Sequence, residues 1–87
     1  MIRAMSAELP HAKGLNGAVV RQVKAERAAS GMTVDELAAT SGIPVRSLVR
    51  YLNFERALSL EMVDKLAVGL GLSAATLLTR ARDERQH

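Results

Sequence analysis

The stretch 33–52 constrains the fold most, because its residue pattern is typical of two short helices joined by one tight turn. Thr33 and Glu36 have the spacing of a capping box, in which each side chain bonds the backbone N–H of the other residue at the start of a helix. Gly42 is the residue type that most easily takes the left-handed conformation needed to end a helix and reverse the chain. We therefore predict two consecutive helices, over residues 33–41 and 44–53.

The second of these helices has two chemically different sides. Its apolar residues recur at spacings of three and four, which places Leu48, Tyr51 and Leu52 on one side. The opposite side carries two valines, two arginines one turn apart and an asparagine: Val45, Arg46, Val49, Arg50 and Asn53. Since the apolar side should join the core, we expect the arginine side to face outward.

Composition excludes several classes of function. The chain has 87 residues, of which 48% are apolar and 24% charged, and this suits one small domain. It has no cysteine, two histidines near its ends, one tyrosine and one phenylalanine. These counts argue against thiolate catalysis, disulfides, a zinc site and a stacking surface for single-stranded nucleic acid. We predict no catalytic residue, no metal and no cofactor.

Charge and hydropathy bear on partners and location. The net charge of +3 and the isoelectric point near 10.0 favour a polyanionic partner. No apolar run approaches the roughly 20 residues that span a bilayer, and the first residues lack the apolar region of an export signal. We therefore expect a cytoplasmic protein without membrane contact.

Capping residues and apolar spacing predict three more helices. Asn16, Ser59 and Ser73 are good N-caps before stretches with helical periodicity. No strand-like alternation of useful length occurs, so the predicted fold class is all-α. The five predicted helices cover about 16–29, 33–41, 44–53, 59–69 and 73–82. In this division, residues 1–14 are a mobile N-terminal arm, 15–82 the domain and 83–87 a charged C-terminal tail.

Several motifs follow one another in a distinctive order: Gly31-Met32-Thr33 before Glu36-Leu37-Ala38, then Ser41-Gly42-Ile43, then Arg46 to Asn53, and finally Gly69 to Ser73. In this order, from about Asn16 to Leu78, the chain resembles the lambda-repressor-like, Cro/C1-type or xenobiotic-response-type helix-turn-helix domain family. The resemblance implies a compact five-helix bundle that inserts its third helix into the major groove of double-stranded DNA.

The same resemblance implies which residues contact DNA. The positions matching Val45, Arg46, Val49 and Arg50 face base edges or flanking phosphates in that family. An arginine can donate two hydrogen bonds to guanine, and a valine can pack against a thymine methyl group. We expect Arg50 to read a base and Arg46 to read a second base or hold a phosphate. The predicted phosphate contacts are Lys24, Thr33, Ser47, Asn53 and Arg56.

The chain departs from the family pattern just after the third helix. A Glu-Asn-Gly turn is common there, and Leu52-Asn53-Phe54 stands in its place. The resemblance pairs the missing glutamate with the arginine matched by Arg27, so we expect Arg27 to meet Glu55, solvent or a phosphate. Phe54 is expected to pack under the loop rather than lie exposed. Pro44 replaces a capping serine or threonine and forfeits one hydrogen bond.

These features favour a sequence-specific DNA-binding transcriptional regulator, with a phage or prophage repressor or Cro-like protein of a bacterial or phage-infected cell as the specific hypothesis. A homodimer through the fifth helix, using the exposed parts of Leu77 and Leu78, would read half-sites about one helical turn apart. Two alternatives stay open. One is the antitoxin of a toxin–antitoxin pair, with residues 1–14 folded onto the toxin, and the other is a protein-interaction adaptor.

Overall fold

The computed structural model describes residues 9–85, which form five α-helices and contain no strand. The helices are α1 (Gly14–Ala29), α2 (Val34–Ser41), α3 (Val45–Leu52), α4 (Leu60–Gly69) and α5 (Ala74–Arg85), and a short 3-10 helix at Pro10–Ala12 precedes α1. Helix α1 packs mainly against α5, α2 packs against α4 and α3, and α3 also contacts α1. The predicted all-α bundle of five helices is confirmed.

The turn between α2 and α3 has the predicted structure. Thr33 Oγ1 accepts from the Glu36 N–H at 3.0 Å, and Glu36 Oε1 accepts from the Thr33 N–H at 2.8 Å, so both halves of the capping box are present. Gly42 ends α2 in the left-handed conformation, with φ of 75°. Pro44 precedes α3 and supplies no side-chain cap, as expected for an imino acid without a polar side chain.

The start of α1 differs from the prediction. The helix begins at Gly14, and Asn16 lies inside it instead of capping it. The Asn16 amide Nδ2 donates to the His11 carbonyl at 2.6 Å, while Oδ1 accepts from the Leu58 N–H at 2.7 Å. Asn16 therefore joins the residues before α1 to the segment before α4. The side chain is used for a long-range contact that a local capping pattern does not reveal.

The two ends of the domain also differ from the predicted boundaries. Residues 9–13 belong to the folded part, since Ala12 is buried and its carbonyl accepts from Arg21 Nη1 at 3.2 Å. The predicted mobile arm therefore does not extend to residue 14, and residues 1–8 lie outside the described range. Helix α5 continues to Arg85, into the predicted tail, because its last turns pack along α1.

Apart from Phe54, the core is aliphatic, and it draws on all five helices. Its fully buried large side chains are Leu37, Leu48, Leu66, Leu77, Val19, Val20 and Val23. Leu77 is 0% exposed because it closes the core between α5 and the helices it packs on, α1 and α4. Leu77 therefore offers no surface to a second copy, and that part of the predicted dimer contact is wrong. Leu78, the next residue, is half-buried.

Helices α2 and α4 approach each other closely at Ser41 and Gly69. A Cβ atom on Gly69 would lie 2.8 Å from Ser41 Cβ and 3.0 Å from its backbone nitrogen. Thr40 Oγ1 donates to the Gly69 carbonyl at 3.0 Å across the same crossing. Glycine is therefore needed at position 69 for space, and this close approach holds α2 in place.

Helix α5 is tied to α1 by charged side chains. Arg80 Nη1 donates to Glu26 Oε2 at 2.6 Å, and Gln22 Nε2 donates to the same oxygen at 2.8 Å. The hydrogen bond from Arg80 lowers the pKa of Glu26 from its ordinary value, and this effect exceeds the opposing effect of burial. A second pair, between Arg21 Nε and Glu84 Oε2 at 3.5 Å, is more exposed.

We expect Gly69→Ala to lower the free energy of unfolding by about 1–3 kcal/mol, because the added methyl group overlaps Ser41. Without that overlap the same substitution would stabilise a helix by up to about 1 kcal/mol, so the sign of the change is diagnostic. Val68→Ala, at the preceding exposed position, should change stability by no more than about 0.5 kcal/mol. Urea denaturation measures all three proteins, and a stabilised Gly69→Ala variant would contradict the packing described.

We expect Glu26→Gln to lower the free energy of unfolding at neutral pH by less than about 1 kcal/mol, the usual size for a partly exposed ion pair. Since the folded pKa of Glu26 is lowered, its contribution is present above the unfolded pKa and is lost as pH falls through the folded pKa. The difference between wild type and variant should therefore vanish in acid. Glu84→Gln, at the more exposed pair, should have a smaller effect. Thermal unfolding across a pH series makes the comparison.

Candidate nucleic-acid interface

Helix α3 presents one open side and buries the other. Its inward residues Leu48 and Leu52 are 0% and 7% exposed, whereas Val45 and Val49 are 42% and 39% exposed. The exposed residues of this helix and its C-cap are Val45, Arg46, Val49, Arg50 and Asn53. The predicted division of α3 into two sides is confirmed. The contacts of these residues with DNA remain predictions.

The two arginines of α3 differ in their pairing from Arg21 and Arg80. Within residues 9–85, neither Arg46 nor Arg50 has a carboxylate oxygen within the 4.0 Å of a salt bridge, and α3 itself contains no acidic residue. By contrast, Arg21 and Arg80 on α1 and α5 each pair with a glutamate. A guanidinium group without a carboxylate partner keeps its planar set of donors for an anion or a base edge.

The first turn of α3 also retains donors. Pro44 stands at the N-cap and accepts no hydrogen bond through its side chain, so the N–H groups of Val45, Arg46 and Ser47 lack a side-chain cap. Such groups can bind a phosphate oxygen, helped by the partial positive charge at a helix start. The half-buried Ser47 lies in this turn, which is the position its predicted role requires.

Thr33 is already engaged in the structure. Its hydroxyl oxygen accepts from the Glu36 N–H and its own backbone N–H donates to the Glu36 carboxylate. Only the hydroxyl hydrogen of Thr33 is therefore left to donate to a phosphate. The residue is exposed at the start of α2, so a contact through that hydrogen is compatible with the cap.

Phe54, in the turn after α3, packs inward as expected. It is 6% exposed and lies next in sequence to the exposed Asn53, with the exposed Arg56 two positions further on. The Lys24 ammonium of α1 lies 4.8 Å from the centre of the Phe54 ring. One predicted phosphate contact, Lys24, thus lies over the Phe54 ring, and two others, Asn53 and Arg56, are close to Phe54 in sequence.

The backbone at Phe54 is unusual. Its φ of 63° is the only positive φ of a non-glycine residue in the described part of the chain. This left-handed conformation costs a non-glycine residue about 1–2 kcal/mol. The family pattern that the sequence resembles has a glycine at this position, so the departure was visible in the sequence. That the ring would lie beneath Lys24 was not.

Arg27 has a different partner from those expected. Its Nη1 donates to the Met32 carbonyl at 2.8 Å, and Nε is buried without a partner among the described residues. The turn that ends α1 folds Met32 back over the helix, with the Met32 N–H bonded to the Arg27 carbonyl at 3.0 Å. Of the three expected partners, Glu55 forms no salt bridge with Arg27 within residues 9–85, because the turn supplies a nearer acceptor. A contact of Arg27 with solvent or a phosphate stays a prediction.

A second surface feature lies at the opposite end of α1. This feature is an open apolar groove, here called the leucine groove. It is lined by Leu15, Asn16, Val19, Leu58, Leu60, Val63 and Leu78. Leu15 and Leu60 are 45% and 82% exposed at its rim. The groove contains no titratable side chain, so it offers no groups for acid–base or nucleophilic chemistry.

Other kinds of site find little support in the part of the chain that the structure describes. No three His, Cys, Asp or Glu residues between positions 9 and 85 come together as metal ligands would. None of the helices described there could by itself cross a membrane. Helices α4 and α5 together meet the length and composition of a span, but the chain bends by 99° between them.

Comparison with known proteins agrees with this geometry. The helix-turn-helix family model HTH_3 matches residues 23–77, more than half of the chain, and this range contains α2, α3 and α4 completely. No curated protein sequence matches significantly. Among solved structures, the clp gene regulator ClgR from Corynebacterium glutamicum superposes with a TM-score of 0.75 at 26% identity, covering 85% of this chain and 79% of that chain.

Two further crystal structures have the same fold. A second structure of ClgR gives a TM-score of 0.73 at 26% identity and covers 83% of this chain and 94% of that one. A mutant of the restriction-modification controller protein C.Esp1396I gives a TM-score of 0.76 at 22% identity, covering 84% and 97% of the two chains. The family places this protein among regulators rather than enzymes. The chain belongs to the Cro/C1-type helix-turn-helix family of DNA-binding transcriptional regulators.

Proposed function

We propose that the protein binds specific sequences of double-stranded DNA by inserting α3 into the major groove. The observation that carries this proposal is the outward side of α3, where Arg46 and Arg50 are exposed and have no carboxylate partner among residues 9–85. An α-helix fits the width of the major groove, and the edges of the base pairs are distinguishable there. A helix with a bare cationic side inside a helix-turn-helix is suited to this use.

The residues of α3 recognise bases in two ways, through hydrogen bonds and through apolar contacts. Arg50 donates two hydrogen bonds to guanine, and Arg46, one turn earlier, reads a second base or holds a phosphate. Val45 and Val49 pack against thymine methyl groups, which an arginine does not recognise. This arrangement gives one helix both polar and apolar means of discrimination.

Phosphate contacts surround α3 and set its position on the duplex. Ser47 and the free N–H groups of the first turn bind one phosphate, and Thr33 reaches another through its hydroxyl hydrogen. Lys24, Asn53 and Arg56 hold the backbone beyond the other end of the helix. These contacts add affinity but carry no direct sequence information.

The regulatory role is the finer part of the proposal. We propose that the protein acts in the cytoplasm as a repressor of the phage, prophage or Cro-like kind, covering a promoter by binding beside it. ClgR and C.Esp1396I, described respectively as a clp gene regulator and a restriction-modification controller, support a role in gene control. The antitoxin alternative depends on residues 1–14, of which 1–8 lie outside the described range, and no contact among residues 9–85 favours it or the adaptor.

A second copy of the chain is the proposed partner at the leucine groove. Leu60, Leu15 and the half-buried Leu78 give this surface an apolar rim. The groove is lined by residues of α1, α4, α5 and the segment before α4, and by none of α3. A copy seated there therefore leaves α3 open to DNA. One eight-residue helix reads few base pairs, and a two-fold dimer doubles the site while spacing the half-sites about one helical turn apart.

We expect Arg50→Ala to relax the preference at one base position, with a loss of about 1–3 kcal/mol for the preferred sequence. Lys24→Ala should instead weaken binding to all sequences alike and reduce the salt dependence of the affinity by about one phosphate contact. Selection from a random duplex library, followed by titration at several salt concentrations, measures both effects.

Lys65→Gln is the matched control for this experiment. It removes the same charge from α4, away from the outward side of α3, and should leave base preference unchanged. If the wild-type protein enriched no sequence motif from the library, sequence-specific recognition would be refuted. Equal relaxation of the motif by Lys65→Gln and Arg50→Ala would also contradict the role given to α3.

We expect Leu60→Gln to weaken dimerisation at least tenfold, because burying most of a leucine side chain contributes about 1.5–3 kcal/mol in each copy. Val68→Gln is the matched control, since Val68 is also exposed on α4 but does not line the leucine groove. Analytical ultracentrifugation of the three proteins gives the association constants. A wild type that stays monomeric at the concentrations that saturate DNA would rule out the proposed dimer.

A further inference from the structure

Helices α1, α3 and α4 end in the same hydrogen-bonded turn. The residue with positive φ is a glycine after α1 and α4 but a phenylalanine after α3. In each turn, two consecutive N–H groups beyond the helix bond carbonyls of its last turn: Gly31 and Met32 after α1, Phe54 and Glu55 after α3, Gly71 and Leu72 after α4. The first residue of each pair has positive φ. Glycine takes this conformation without strain, and a phenylalanine does not.

A residue strained in this way persists only where contacts with the surrounding structure offset the conformational cost. A glycine at position 54 would form the same two backbone bonds, Phe54 N–H to the Tyr51 carbonyl at 3.1 Å and Glu55 N–H to the Arg50 carbonyl at 2.8 Å. What glycine would lack is the ring. The ring is 6% exposed, so it fills the core, and one face lies 4.8 Å from Lys24 Nζ.

The surroundings of Lys24 leave its charge available. At spacings of three and four along α1, its neighbours are Arg21, Arg27, Val20 and Ala28, none of them acidic. Within residues 9–85 no carboxylate forms a salt bridge with it, and Glu26 is occupied by Arg80. The aromatic face is therefore the group that holds this ammonium in place, while its remaining N–H donors are free.

We propose that Phe54 is a positioning residue for DNA binding, whose ring holds the Lys24 ammonium beside the C-terminal end of α3 so that it can bind a backbone phosphate there. This inference rests on the proposed function and deepens it. It assigns a role to Phe54, which stands where the family pattern commonly has glycine. Phe54 itself does not touch DNA, because its side chain is buried.

The test measures the coupling between the two residues in DNA affinity. We expect Phe54→Leu, which keeps an apolar side chain but removes the aromatic face, to weaken binding to a mixed-sequence duplex about two- to fivefold. The selected duplex should lose the same factor, since a phosphate contact is independent of sequence. In the Lys24→Ala background, Phe54→Leu should cause no further loss. Equal losses with and without Lys24 would show a merely structural role and overturn the proposal.

A further measurement, which needs no variant, keeps the test decisive if Phe54→Leu fails to fold. In the wild-type protein without DNA, the ring should shift the proton resonances of the Lys24 side-chain methylene groups upfield. Resonances at the positions of a free lysine would overturn the proposal.

The outcomes separate this inference from the proposed function. Absence of an enriched motif refutes sequence-specific binding, yet the coupling is still measured on the mixed-sequence duplex. Failure to bind any duplex overturns both proposals. Binding with additive losses overturns only the role of Phe54.

Discussion

The burial of Leu48 and Leu52 is the interaction on which the presentation of α3 depends. A helix of eight residues is too short to be stable alone in water, so its stability must come from packing its apolar side. These two leucines are 0% and 7% exposed, and they attach α3 to α2 and α1. Because successive turns of a helix keep one side inward, this burial places Arg46 and Arg50 outward at the same time.

The turns on either side of α3 determine how it projects from the bundle. Before α3, Gly42 reverses the chain in a left-handed conformation and Pro44 starts the helix without a side-chain cap. After α3, Phe54 performs the same reversal at a conformational cost that glycine would avoid. The N–H groups of the first turn lack a side-chain cap at the N-terminal end of α3, and the Lys24–Phe54 contact lies beyond its C-terminal end. The two ends of this short helix therefore differ chemically.

Pairing of charges separates the stabilising part of the surface from the part that is open to an anion. Arg80 and Arg21 join α5 to α1 through glutamates, and the hydrogen bond from Arg80 lowers the pKa of Glu26. The arginines of α3 have no such partners within residues 9–85. An uncompensated cation is available to a phosphate or a base edge, whereas a paired one must first be released. The distribution of acidic residues thus supports the proposal that the outward side of α3 binds DNA.

The sequence by itself determined the features that depend on neighbouring residues. The capping box at Thr33, the reversal at Gly42 and the two sides of α3 follow from spacings of a few residues, and the structure has all three. The number of helices also follows from such local patterns, because periodicity and capping are properties of short stretches.

Only the tertiary structure decided where individual side chains of helix α1 and of the turns find partners. Asn16 bonds Leu58, Lys24 lies on the Phe54 ring, and Arg27 turns back to the Met32 carbonyl. Leu77, which an amphipathic pattern cannot distinguish from Leu78, is fully buried. The physical reason is that these contacts depend on how whole helices pack together. Packing determines which residues, distant in sequence, come within reach of a given side chain. A local pattern identifies which groups are available, and packing selects among them.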